Sequence, residues 1–299
     1  MNNPRAELEP SATGEGLRKG TRVGEGAFRE VAAYILDHDN FSGVPPTTFA
    51  TLSGSADIND SSTNTDYDCD GSEPSTPKQG SLQEFVRSIS DCEEMGPSKY
   101  SVDEVHKITI LDMRLGNTDR NGANILVSEM PGDVEQYKLI PIDHGYTLPH
   151  SLQDLSFEWE YWPQARMPYS EQSLEYISNL DADADLLMLA AHNIRLPADC
   201  QRVFRVCTLV LKKGAALGLV PASISECMTR KIWNQMSDLE KMSARALNVA
   251  VGKQTRASGR PSQLVTEAQE KRYFQELSVL LEEYFSSLKE ENMLDNLHI

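Results

Sequence analysis

The chain has 299 residues, 39% of them hydrophobic, enough to bury one sizeable core or two lobes. Its formal charge of -17 argues against nucleic acid as a partner, because phosphate contacts require clustered Lys and Arg. No apolar run is long enough to span a bilayer, Met1 to Arg5 lacks a secretory layout, and the five cysteines show no paired C-x-x-C. The expectation is a cytoplasmic protein with reduced thiols and no zinc site.

In chain order, the first patterned stretch is Gly24 to Asp39. Gly24-Glu25-Gly26-Ala27-Phe28 followed by Val31 has the outline of a glycine-rich phosphate loop, but Arg29 stands at the third glycine position and no lysine-bearing strand follows. Phe28, Val31, Ala32 and Ile35 fall at i, i+3, i+4 and i+7, so the spacing predicts an amphipathic helix over 25–39 instead. Ser53 to Pro77 is acidic and holds no Lys or Arg, which predicts a disordered insertion, since it cannot bury enough apolar surface to offset its ordering entropy. Two EF-hand-like openings, at Asp66 and Asn117, place Pro77 and Ser128 where a bidentate glutamate is required, so calcium is not expected. Leu82, Phe85 and Val86 have the spacing of a helix face. Val102, Val105, Ile108 and Leu111 or Asp112 predict a helix leading into the next segment.

That segment, Asn117 to Gly145, carries the chemistry. Two β-prone runs, Ile125 to Val127 and Tyr137 to Ile142, flank Met130-Pro131-Gly132-Asp133 and predict a hairpin. Antiparallel pairing puts the start of the first strand beside the end of the second, so Asn124 and Asp143 emerge together on strands about 4.8 Å apart. An amide oxygen and a carboxylate so placed can hold a hard cation such as Mg²⁺. Asp119, five positions before Asn124, is a second carboxylate able to reach the space in front. An Asp on a loop, an Asn opening a strand and an Asp-x-Gly closing its partner form the arrangement of a kinase catalytic loop with its metal ligands.

Beyond it, Phe157, Trp159, Tyr161 and Trp162 form an aromatic cluster that could pack a core or lie at a headgroup interface, and Arg166 is a candidate phosphate contact. Ser170 and Asp181 read as helix N-caps, and Pro221 starts a further helix. Val203, Val206, Val210 and Leu211 form one apolar stripe. Phe274, Leu277, Leu281, Tyr284 and Leu288 form another, expected to pack on the body of the protein rather than in a coiled coil. Residues 201–263 carry eleven Lys or Arg against three acids. They read as a solvated helical face, with an anionic membrane surface as the functional alternative.

Leu111-Asp112-Met113-Arg114 through Thr118-Asp119-Arg120, Gly122-Ala123-Asn124-Ile125-Leu126-Val127 and Ile140-Pro141-Ile142-Asp143-His144-Gly145 resemble the phosphatidylinositol 3- and 4-kinase family. Arg29-Glu30-Val31-Ala32-Ala33-Tyr34, Gly80 to Val86, Phe157-Glu158-Trp159 and Tyr161 to Arg166 narrow the likeness to the plant-type gamma 4-kinases. The resemblance implies an α+β, protein-kinase-like fold. An incomplete N-lobe would occupy 1–100, with the helix near 25–39, the insertion 53–77 and a hinge near 80–86. A mostly helical C-lobe would occupy 101–299, with catalytic loop 117–127 and metal-binding Asp-His-Gly 143–145.

It further implies ATP and Mg²⁺ as cofactors. Gln83, Glu84, Phe85 and Val86 would meet the adenine, Glu30 would pair with an ATP-gripping lysine, and Asn124 and Asp143 would hold the metal across the phosphates. Asp119 would orient or deprotonate the attacking hydroxyl, and Arg120 would offset developing charge. Many relatives carry His where this chain has Asn121, which cannot accept a proton, so that role falls to Asp119. The implied activity is phosphoryl transfer to phosphatidylinositol, giving the 4-phosphate at a peripheral membrane contact. A Ser/Thr protein kinase and a pseudokinase-like interaction module are the alternatives. The last arises because only twenty-nine residues precede Glu30 and Lys19 sits in no strand pattern, so the chain reads as beginning inside the N-lobe.

Overall fold

The structure, a computed structural model, describes residues 24–52, 78–130, 136–252 and 266–295. Lys19, the acidic stretch 53–77 and the Pro131-Gly132-Asp133 turn lie outside the described residues. The first element is helix α1 (Gly26–Leu36), the helix that the apolar spacing predicts over 25–39 in place of a glycine-rich loop. Its buried face is Val31, Ala32, Ala33 and Leu36, whereas Phe28 is exposed and meets Phe49 edge-on at 5.1 Å. Strands β1 (Thr47–Leu52) and β2 (Lys78–Gln83) follow as an antiparallel pair with Thr47 opposite Gln83.

A second sheet holds β3 (Ser90–Asp91), β4 (Ile125–Glu129) and β5 (Tyr137–Pro141), in the order β3-β4-β5. Between β3 and β4 the chain runs through α2 (Val102–Leu115). Ser101 caps its start by accepting from the Glu104 amide, acids fill its first turn where the helix dipole favours them, and Gly116 ends it with φ 60°. Val105, Ile108, Ile110, Leu111, Met113 and Leu115 are all buried, so α2 is the axis on which both regions pack.

The remainder is helical: α3 (Glu171–Asn179), α4 (Ala182–Ala191), α5 (Ala198–Ala216), α6 (Pro221–Ser225), α7 (Asp238–Val251) and α8 (Glu267–Asp295). Ser170 and Asp181 cap α3 and α4, and Ser237 with Glu240 closes a reciprocal capping box on α7. From α8, Tyr273, Leu277, Leu281 and Phe285 are buried against α7 and α5, each worth roughly 1.5–3 kcal/mol of apolar burial.

Among the described residues of the basic stretch, several cations are engaged. Arg205 pairs with Asp183 at 2.6 Å, Lys213 with Glu282 at 2.5 Å and Lys241 with Asp238 at 2.8 Å, while Lys212 donates to the Leu180 carbonyl. The aromatic cluster divides. Phe157, Trp159 and Trp162 pack the core, and Tyr161 is 79% exposed. Among the described residues the cysteines are free and buried, and no helix is long and apolar enough to cross a membrane.

Candidate functional site

Strands β4 and β5 pair from Ile125 opposite Pro141 to Glu129 opposite Tyr137, and the Ile142 amide donates to the Asn124 carbonyl at 3.0 Å. Asn124 and Asp143 therefore stand at the same open end. What fixes that end is Arg120, which is 2% exposed. Its Nη1 donates to the carbonyls of Asn124 at 2.6 Å and Ile142 at 2.9 Å, gripping both strands, while Nε donates to both Asp112 carboxylate oxygens at 3.0 Å. The guanidinium to which the resemblance assigns the offsetting of developing charge is fully buried, and it holds the two strand ends together.

Asp112, in the last turns of α2, is the centre of this network. Besides Arg120 it accepts from Asn117 Nδ2 at 3.0 Å and from the Trp159 indole at 2.9 Å. These donors satisfy a buried carboxylate that would otherwise be costly to remove from water. Asn117 passes the constraint forward, because its Oδ1 accepts the Asp119 amide at 2.9 Å. Asn124 Nδ2 then donates to the Asp119 carbonyl at 3.1 Å, which commits the amide nitrogen and leaves the amide oxygen as the atom available to a cation. Gly122 permits the tight loop between them, since a Cβ there would stand 2.8 Å from the Glu93 nitrogen.

Asp143 has φ 54°, a left-handed conformation that Asp tolerates better than most residues and that marks a constrained site. Although the residue is exposed, its carboxyl is partly desolvated, and the negative charges of Glu30 and Asp119 add to that, so its pKa is raised. Glu30 moves the opposite way. Burial alone would raise it, but the nearby His144 imidazole and hydrogen bonds from the backbone of His144 and Gly145 hold it below the usual carboxylate range. The fully buried His144 ring stands 3.6 Å from Glu30, an ion-pair separation rather than a hydrogen bond.

Glu30 therefore braces the Asp-His-Gly turn. Arg29 beside it donates to the Thr147 and Leu148 carbonyls and to Glu25, binding α1 to the segment after that turn. No lysine meets Glu30 among the contacts of the described residues.

Among the described residues no three His, Cys, Asp or Glu side chains converge as a metal cage. The Asn124 amide oxygen and the Asp143 carboxylate are the residues that could hold a hard cation here, in a set sparse enough to suit an ion such as Mg²⁺ that keeps waters and shares phosphate oxygens.

The 83–86 segment is not a helix face. Leu82 lies in β2 and is 62% exposed, Gln83 donates to the Thr47 hydroxyl at 2.9 Å, and the Glu84 amide donates to the Pro46 carbonyl at 2.8 Å. Phe85 is 87% exposed and Val86 half-buried. Sequence reasoning missed Arg29 and the role of Asp112. A carboxylate inside the apolar stripe of α2 was the available signal, because such a residue requires buried donors.

Residues 2–224 match the phosphatidylinositol 3- and 4-kinase family. The chain is 46% identical over 254 residues to phosphatidylinositol 4-kinase gamma 3 of Arabidopsis thaliana, covering 81% of this chain and 43% of that protein. It is 46% identical to phosphatidylinositol 4-kinase gamma 4 of Oryza sativa subsp. japonica, covering 80% and 40%, and 44% identical to the gamma 4 protein of Arabidopsis, covering 81% and 42%. The chain thus spans less than half the length of these relatives.

Proposed function

Since the chain belongs to the phosphatidylinositol 3- and 4-kinase family, we propose that it transfers the γ-phosphoryl group of ATP to the 4-hydroxyl of phosphatidylinositol. The observation that supports this reading most is the strand end clamped by Arg120, where Asn124 and Asp143 stand side by side next to Asp119. Asn124 and Asp143 would hold Mg²⁺, which when bound supplies charge neutralisation at the phosphate oxygens. Asp119 would orient the attacking hydroxyl and receive its proton. Its backbone is held at both faces, by Asn117 and by Asn124, so the carboxylate starts from a fixed base. The segment Gln83 to Val86 would lie along the adenine, with the exposed ring of Phe85 as its apolar surface. Most of the rate gain would come from positioning and electrostatics. Such an acceptor would bring the protein to a membrane surface in the cytoplasm.

Radiolabelled ATP with Mg²⁺ and phosphatidylinositol vesicles tests the proposal, and protein substrates run in parallel separate the acceptors. Labelled phosphatidylinositol 4-phosphate is expected, with a loss of at least about a hundredfold in Asp119→Ala and Asp143→Asn. Label in protein only would replace the acceptor. No label in either, together with no thermal shift on adding ATP and Mg²⁺, would remove the activity. One observation favours a second reading, an interaction module without turnover: Glu30 is engaged by the Asp-His-Gly turn rather than by a lysine among the described residues.

A further inference from the structure

We propose that the rim formed by Tyr161, Arg166, Lys231, Ile232 and Trp233 is the surface that seats the protein on an anionic bilayer. The proposal deepens the lipid-kinase reading and rests on it. Tyr161 is 79% exposed, Trp233 77% and Ile232 51%. Tyr161, Arg166, Arg230 and Lys231 line a single cleft of about 450 Å³, Arg230 donates to the Trp233 carbonyl at 3.1 Å, and Ile232 and Trp233 directly follow Lys231 in the chain.

The chemistry favours a headgroup zone over a dry protein interface. Tyr and Trp rings carry an apolar body and a polar edge, the combination enriched where hydrocarbon meets water. The cleft between them is lined by Ser156, Ser223 and Thr229, hydroxyls suited to wet polar contacts.

The charge of the cleft is mixed, Arg166, Arg230 and Lys231 standing with Glu160 and Glu226, and what matters is which cation is left for a new partner. Glu240 neutralises Arg230 and Glu226 pairs with Lys231, but the Lys231 side chain is 69% exposed. Glu160 is turned to Ser225 and Thr229, with which it hydrogen-bonds. Arg166 is exposed and has no ion pair or hydrogen bond among the described residues, in contrast to the paired cations of α5 and α7. An anionic surface can therefore approach here without displacing an existing partner of Arg166.

Position links the rim to the site. The Ser156 amide donates to the Asn117 carbonyl at 3.2 Å and the Glu158 amide to the Arg120 carbonyl at 3.0 Å, and Tyr161 follows within one turn. Seating the rim would hold the loop of Asp119 near the headgroup layer.

Flotation of the full chain with phosphatidylcholine vesicles, with and without phosphatidylserine and without ATP, tests this. Wild type is expected to float with the anionic vesicles, and a double variant Tyr161→Ala with Trp233→Ala to lose roughly tenfold or more in partitioning. Arg166→Glu should lose the preference for phosphatidylserine. Leu187→Ser, an exposed apolar site on α4, should float like wild type, and all variants should keep the wild-type unfolding midpoint.

Equal flotation of the double variant would overturn the proposal, as would failure of wild type to float. So would a wild-type dimer that the double variant dissolves, since the rim would then be a contact between copies. Phosphorylation of phosphatidylinositol in detergent micelles reads the functional proposal separately. Its failure with flotation intact sinks the activity, and the reverse result sinks only the rim.

Discussion

The two hairpins of this molecule share a local geometry and differ in almost everything else. In β4–β5, Ile125, Val127 and Leu139 are buried, Glu104 of α2 accepts the Leu139 amide at 2.9 Å, and Arg120 grips the open end. In β1–β2, Leu82 stands in solvent, Phe49 is 40% exposed, and among the described residues a side-chain link across the ladder runs from Gln83 to Thr47. Strand pairing alone sets register in both, but only burial with satisfied polar groups converts register into a fixed position in space. Asp143 follows the second strand of the hairpin that has that backing, and Asp119 lies on the loop that enters it.

The contrast is broken most severely at Asp112. Replacing it with Ala strips Arg120, Asn117 and Trp159 of their acceptor and strands a buried guanidinium, a loss of about 3–5 kcal/mol. That is a large part of the stability of a typical domain, so denaturant unfolding should show a collapsed midpoint. The corresponding change in the other hairpin, Gln83→Ala, should cost no more than about 1 kcal/mol. Similar losses for the two would refute the distinction.

Next in size is Gly122→Ala. Its new methyl group would meet the backbone of Glu93 and Cys92 at 2.8–3.0 Å, and neither can move without disturbing the β3–β4 pairing. A cost of about 1–3 kcal/mol is expected. Gly80→Ala in β2 has open space around it and should be near neutral by the same measurement.

Asp143→Asn should separate activity from stability. Because the folded pKa of Asp143 is raised, the fold favours its protonated form, and a penalty develops as pH rises from the unfolded value through the folded one. The amide removes that penalty, so the melting point at neutral pH should rise while phosphoryl transfer is lost. The gain should stay below about 1 kcal/mol, since solvent at this exposed residue screens the repulsion. It should vanish at pH below the ordinary carboxylate range. A lower neutral-pH melting point would mean that Glu30 and Asp119 do not press on this carboxyl.

How much was legible in the sequence follows from the range of each interaction. The hairpin and α2 were readable because alternation and helical spacing are local. Arg120 was not, since nothing in Asp119-Arg120-Asn121 tells which way the guanidinium turns; that depends on Asp112, eight positions back and buried. The partners of the basic stretch were equally hidden, Lys213 meeting Glu282 sixty-nine positions away. Aromatic identity could not separate Trp159 from Tyr161. Only the first has a buried acceptor for its polar edge.

The smallest expected effect is also the sharpest test of what β1–β2 is for. Leu82→Ser and Phe85→Ser remove apolar side chains that are 62% and 87% exposed, so stability should change by no more than about 0.5 kcal/mol. If this open hairpin end is the adenine side of the site, the same substitutions should raise the KM for ATP while leaving the acceptor KM unchanged, because the lost contact lies on one substrate only. A large destabilisation would instead mean that these side chains are covered in solution. The comparison between a buried hairpin that positions and an exposed one that binds would then fail at its second half.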